Sequence, residues 1–255
     1  MTASDLGRIQ SYLRVAAPRG RDHSRVGPFL ATFNRETDNP YLNYAIPDDD
    51  AVPTPEDVAG LIAAYRDAER KPRLEYIPAV APGVEEALLR AGFEVEARTP
   101  LMVYEPSGPP PAVPDGIELI APATEDELRA AAAVQWEAYE ESGPVAEHAV
   151  TGLRRTLEAG GIVVLARDAE TGEPAGAGLC TGPHAGSTEL AAVGVRPAFR
   201  RRGIAAAMVG WLAARAAEQG AENVFLMAES EAEARIYARA GFRAISEVLH
   251  ISFSA

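Results

Sequence analysis

The sequence predicts a mixed α/β protein built in two unequal halves, and three observations carry that reading. Apolar runs of strand length alternate with helical patterns along most of the 255 residues. The tetrapeptide Arg-Ala-Gly-Phe occurs at 90–93 and again at 239–242, each time between a helical pattern and a strand-like one. Five prolines fall within the twelve residues from Glu105 to Gly116, a stretch that can form neither a helix nor an inner strand and is expected to be extended and semi-rigid.

In the first half the opening residues are ambiguous, although "SDLGRIQSYLRVAA" fits a helix. "GPFLATFN" and "YLNYAI" read as short strands, and "TPEDVAGLIAAYRDAER" as a helix capped by Thr54. "RLEYIPAV" reads as a strand, "PGVEEALLRAG" as a helix, and "FEVEARTPLMVY" as the strand that closes this half. Glycine fits just past a helix end because it takes a left-handed conformation cheaply, and the following Phe then starts a buried strand.

After the proline segment, "GIELIAP" is a strand. "TEDELRAAAAVQWEAYEE" is a helix with Thr124 as cap and acidic residues in its first turn. "VAEHAVTGLRRTLEAG" continues helical, and "GIVVLARDAETGEPAGAGLCTG" reads as a hairpin around "AETGEP". "STELAAVGVRP" is a strand, "RRRGIAAAMVGWLAARAAEQG" a long helix, "AENVFLMAE" a strand, "SEAEARIYARAG" a helix and "FRAISEVLHISF" the last strand. An opening hairpin followed by alternating strands and helices gives a mixed sheet with helices on both faces.

Composition narrows the function classes. Nearly half the residues are apolar and a quarter charged, as in a globular protein, and no stretch approaches the ~20 apolar residues of a membrane span. The first residues lack the apolar run of a secretory signal, so a cytoplasmic protein is expected. The net charge of -13 argues against nucleic acid or an anionic membrane as partner. A single cysteine, Cys180, and the scattered His148, His184 and His250 offer no metal site.

The segment richest in chemistry is "VGVRPAFRRRGIAAAMVGWLAARAAEQG". A strand ends at Pro197, an arginine-rich loop follows, and a helix begins near Gly203 with small residues in its first turn. The first turn of a helix leaves N–H groups without internal partners, and the macrodipole adds partial positive charge, so this is the chemistry of an anion site, most often for phosphate. Gly203, Ala205 and Ala206 would let a phosphate approach the backbone, and Arg200, Arg201 and Arg202 would add charge at the rim. Neither a Walker sequence nor the three-glycine dinucleotide fingerprint is present.

Arg200-x-x-Gly203-x-Ala205 after "AAVGVRP" resembles the pyrophosphate-binding motif of the GNAT superfamily of acyl-CoA-dependent N-acetyltransferases. The resemblance runs from about Gly116 to Ser254, with the hairpin, the valine-rich strand, the motif helix and "IYARAGF" in the family's order. It implies acetyl-CoA as co-substrate and no metal. The amides from Arg201 through Ile204 to Ala206 would hold the pyrophosphate, and the backbone of Val193, Gly194 and Val195, at the end of a bulged strand, would pair with the pantetheine arm. Tyr237 would be the general acid for the departing thiolate, and Glu189 the base acting on the amine through water. Ser230 stands where many members have an asparagine that contacts pantetheine, a departure from the pattern.

Registering the two Arg-Ala-Gly-Phe copies puts Leu88 in the place of Tyr237, and "DAVPTPEDVAGLIAAYRD" offers prolines and acids in place of the phosphate motif. The reading is therefore a degenerate GNAT-like domain at 1–104, a linker at 105–116 and a catalytic domain at 117–255. The implied activity is acetyl transfer to a primary amine of a small molecule or peptide by direct attack in a ternary complex. A longer acyl group and a non-catalytic CoA-binding or protein-interaction scaffold stand as alternatives, and a homodimer is left open.

Overall fold

The computed structural model describes residues 3–35, 37–139 and 143–254. In chain order its elements begin with α1 (Ala3–Ala16), β1 (Asp22–Val26), β2 (Phe29–Phe33), β3 (Ala45–Pro47), α2 (Pro55–Asp67), β4 (Arg73–Tyr76), α3 (Val84–Arg90) and β5 (Phe93–Tyr104). They continue with β6 (Ile117–Ile120), α4 (Glu125–Ala138), α5 (Glu147–Glu158), β7 (Ile162–Asp168), β8 (Pro174–Cys180) and β9 (Ser187–Val195). The last are α6 (Ile204–Glu218), β10 (Asn223–Met227), α7 (Glu231–Arg239) and β11 (Phe242–Phe253). The helix expected to reach residue 141 ends at Ala138, and positions 140 and 141 lie outside the described residues.

Two compact units form, and their borders differ from the sequence division. One unit is Met1–Leu101 with Ala244–Ala255; the other is Met102–Arg243. The proline segment therefore belongs to the second unit, and the end of β11 to the first. The physical reason is strand pairing: residues 249–252 of β11 run antiparallel to β4, with His250 opposite Glu75 and Ser252 opposite Arg73.

In the first unit the strands follow the order β1-β2-β3-β4-β11-β5. The ambiguous N-terminal segment is a helix that buries Ile9, Tyr12 and Leu13. β1 escaped sequence reading because most of its side chains are exposed polar groups. The run read as one strand at 41–46 is split: a 3-10 turn at Pro40–Leu42 precedes the short β3, with Asn39 accepting from the Tyr41 amide. Arg73 is almost completely buried, its guanidinium bonded to Glu75 and Glu96.

The second unit has the order β5-β10-β9-β8-β7-β6, antiparallel from β6 to β9, with β9 and β10 parallel. One core lies between the sheet and α6, around Met208, Leu212, Val224 and Phe242. A second lies under α4 and α5, around Val134, Leu153 and Val163. The proline segment is packed: a Cβ at Gly210 on α6 would meet Pro111 Cδ at 2.6 Å and Pro110 Cβ at 3.2 Å.

The repeated tetrapeptides have matching geometry. Gly92 and Gly241 are left-handed, with φ of 91° and 95°. A Cβ at Gly92 would touch the Phe253 ring at 3.4 Å, and one at Gly241 the Tyr104 ring at 3.1 Å. The rings of Phe93 and Phe253 are 5.5 Å apart in the first unit, and those of Tyr104 and Phe242 5.4 Å apart in the second. Each repeat's strand thus starts in one unit and ends in the other.

Candidate active site

The site is built on the chain from β9 into α6. Pro197–Phe199 form a 3-10 turn whose Phe199 is buried, and Arg201 and Gly203 then take left-handed φ of 65° and 85°. Gly203 is the N-cap of α6 and no side chain caps the helix. The first intrahelical bond runs from the Ala207 amide to the Gly203 carbonyl at 3.1 Å, so the amides of Ile204, Ala205 and Ala206 precede the helical ladder. Ile204 is buried in the α6 core and can offer only its N–H, whereas Ala205 and Ala206 are half-buried and keep the approach low.

The three arginines differ in surroundings. Arg200 donates from Nε to the Val195 carbonyl at 3.1 Å. Arg202 stacks over the Phe199 ring at 5.5 Å. Arg201 supplies the strained turn, and all three side chains are exposed.

β9 is bulged. Its register against β8 slips between the pairs Ala177↔Gly194 and Leu179↔Ala191, Ala192 has a φ of 54°, and Gln135 Nε2 on α4 donates to the Ala192 carbonyl at 2.9 Å. The Arg196 amide bonds to the Ala175 carbonyl on β8 at 2.9 Å. Backbone groups alternate sides along a strand, so Gly194 also turns its polar groups toward β8, while Val193 and Val195 turn theirs away. The three backbone positions expected on pantetheine are therefore not equivalent. Gly194 answers to packing: a Cβ there would meet Ala138 Cβ at 2.5 Å.

The parallel ladder between β9 and β10 consists of Ser187↔Asn223, Thr188↔Val224 and Glu189↔Phe225. Beyond it β9 runs on to Val195 with the polar groups of Val193 and Val195 facing the β10 side. Glu189 thus marks the point where the two strands part. Its charge reaches Cys180, whose thiol is pushed up to about 12 by burial first and by Glu189 second.

Tyr237 lies half-buried on α7 against the α6 core, 6.4 Å between ring centres from Phe242. Burial raises its phenol well above the ordinary range, and Glu233, Tyr139 and Glu229 raise it further. The phenol is neutral at physiological pH and able to donate, though a weaker acid than a free tyrosine. Sequence reasoning did not find the neighbours Tyr139 and Glu229, nor Gln135, which lie outside α7 and share no spacing signal with Tyr237, nor Glu233, although it stands one helical turn before Tyr237 on α7. Ser230 caps α7, accepting from the Glu233 amide at 3.2 Å, and that role accounts for a serine at this position.

In the first unit the start of α2 is closed by its own side chains. Thr54 Oγ1 accepts from the Asp57 amide at 3.2 Å, and the Asp57 carboxylate accepts from the Thr54 amide at 2.9 Å. A capping box with a fixed carboxylate leaves no place for a phosphate.

Residues 127–242 match the acetyltransferase (GNAT) family. The matched stretch lies within the second unit. A GCN5-related N-acetyltransferase from Kribbella flavida shares its fold, with 24% identity, a TM-score of 0.76 and coverage of 98% of this chain and 96% of the other. One from Sphaerobacter thermophilus has 22% identity, a TM-score of 0.65 and coverage of 88% and 76%. A tandem GNAT protein from the clavulanic acid biosynthesis pathway, solved without AcCoA, has 14% identity, a TM-score of 0.66 and coverage of 97% and 87%. Comparison with curated proteins finds no match. Acetyl transfer is the activity for which the matched family is named. No helix among the described residues is long and apolar enough to cross a membrane, and no group of three metal-ligating side chains occurs among them.

Proposed function

We propose that the protein is an acetyl-CoA-dependent N-acetyltransferase acting on a primary amine of a small molecule or peptide, with the reaction confined to the second unit. The observation that carries this reading is the α6 start: three amides ahead of the helical ladder, no capping side chain, and a left-handed glycine that admits a bulky anion.

In this reading acetyl-CoA supplies an activated thioester. The amides of Ile204, Ala205 and Ala206 bind the pyrophosphate, and the outward amides of Val193 and Val195 orient the arm. Arg200 fixes the Val195 carbonyl, which leaves that residue chiefly as a donor. An attacking amine must first lose a proton, and Glu189, at the fork of β9 and β10, takes it through water. Tyr237 donates its phenolic proton to the sulfur as the C–S bond breaks. Its raised pKa makes full transfer to a free thiolate uphill, so the proton moves with bond cleavage rather than before it. The first unit, with its closed α2 start, is a partner domain without an acyl-CoA site.

The test is release of free thiol from acetyl-CoA by the full chain with a panel of amines, beside calorimetric binding of CoA. Amine-dependent release supports the enzyme. Binding without release from any amine would favour the scaffold reading.

A further inference from the structure

A cavity of about 300 Å³ lies in the second unit between the C-terminal end of α6 and the β8–β9 turn. It is lined by Ile162, Cys180, Thr188, His184, Ala216 and Gln219 among others. α6 has 15 residues, which places the cavity about 22 Å along the helix from Gly203, at the opposite end from the anion site. Its volume is at the small end of ligand pockets, and its walls combine apolar side chains with a few polar groups, the usual make-up of a small-molecule site.

The charge of ligand it suits follows from the surroundings. The C-terminal end of a helix carries partial negative charge. The Glu222 carboxyl group is at the rim: its Cδ lies 3.3 Å from the position a Cβ would take on Gly186, and Gly186 lines the cavity. Among the described residues no lysine or arginine lines it, and Arg215 in the last turn of α6 is turned onto the Trp211 ring at 4.9 Å. His184 is, among the described residues, the one basic side chain in the wall. Thr188 spends its proton on the Thr181 carbonyl at 2.7 Å, which leaves its oxygen as an acceptor, while the Thr181 hydroxyl donates to the Glu189 carbonyl at 3.2 Å and accepts from the Glu189 amide at 3.1 Å. The floor of Ile162, Cys180 and Ala216 is buried and apolar.

We propose that this cavity binds a small organic cation, an ammonium head with a short apolar body, the head at the α6 terminus and Glu222 and the body over Ile162 and Ala216. This site is separate from the acyl-transfer site, and its occupant need not be an acceptor.

The experiment titrates the isotope-labelled full chain with 2-phenylethylammonium, its neutral isostere 2-phenylethanol and the anion phenylacetate, reading amide shifts residue by residue. Expected is saturable binding of the cation on the order of 1 mM, as suits a ligand of fragment size. The shifts should centre on Gly186, Gly220 and Ala221, with the alcohol several-fold weaker and phenylacetate inert. Glu222→Gln should narrow the gap between cation and alcohol, and His184→Trp, which fills the cavity, should abolish the shifts. Phenylacetate binding as well as the cation, shifts confined to the β9–β10 fork, or no shifts with any of the three probes would overturn the proposal. Binding to the fork as an acceptor registers on other amides, so failure here is distinguishable from failure of the transferase reading.

Discussion

Ala205→Asp offers the sharpest test of the anion site. Ala205 is the second residue of α6, half-buried, and its amide precedes the first helical bond. A carboxylate there lies about 5.5 Å from two phosphate charges seated on the helix start. With an effective dielectric of about 40, between surface and bulk values, each pair costs ~1.5 kcal/mol and the two together ~3 kcal/mol. That is roughly a 100-fold loss of CoA affinity. The fold should be unharmed: Asp costs up to about 0.7 kcal/mol in helix propensity relative to Ala, and recovers about 0.3–1 kcal/mol from the macrodipole in the first turn. Ala205→Asn, nearly the same shape without the charge, should lose much less. The difference between the two should shrink as salt is raised, since screening acts only on the charged variant. Calorimetry of CoA binding at two ionic strengths, with thermal melts of each variant, makes the measurement. Unchanged affinity in a folded Ala205→Asp protein would place the phosphate elsewhere. The choice of Ala205 over Gly203 is deliberate, because a φ of 85° strains any side chain at Gly203 by about 1–2 kcal/mol and would confuse folding with binding.

Tyr237→Phe should lower turnover roughly 10- to 1000-fold while CoA affinity stays within about 2-fold, since the lost hydroxyl acts in the transition state; steady-state kinetics with full activity retained would remove the acid role. Gly210→Ala sets a helix-propensity gain of about 1 kcal/mol against a clash with Pro111 and Pro110 worth about 1–3 kcal/mol. A lower melting temperature is expected, and a higher one would show that the proline segment yields freely. In the first unit burial works against the Glu96 carboxylate, but hydrogen bonds from Lys71, Ser252 and Arg73 hold it down at about 2. A depressed carboxylate contributes stability above its unfolded value of ~4.3 and loses it as pH falls toward 2. Denaturant melts should therefore weaken over that window, and Glu96→Gln should flatten the change; an unaltered acid slope would deny Glu96 this role.

Most elements could be read from sequence because their signals are local. Thr54 and Thr124 start helices by capping boxes that span four residues, and Gly92 and Gly241 end them by backbone conformation alone. The uncapped start of α6 was legible for the same reason: it needs only a glycine, two alanines and a helix start, all contiguous, and the resemblance to the family's motif rests on them. The closed start of α2 was foreshadowed by the acids and prolines of 48–57. The rest depends on residues far apart in the chain. No pattern within "FRAISEVLHISF" tells that its end pairs with β4, about 175 residues earlier in the chain, because a strand's partner is chosen by burial of both faces and not by its own alternation. The same holds for Val193, Gly194 and Val195, read as three like positions until pairing with β8 turned Gly194 inward and its neighbours outward. Tyr237 could be picked out by its place before the second Arg-Ala-Gly-Phe, but its raised phenol depends on Glu233, Tyr139 and Glu229, two of them in other elements. Sequence by itself determined where most helices and strands lie and which helix start carries no capping side chain. Tertiary structure alone decided which strands meet, which way their amides face and what surrounds the tyrosine, since each of these is an interaction across space whose energy no local stretch of chain contains.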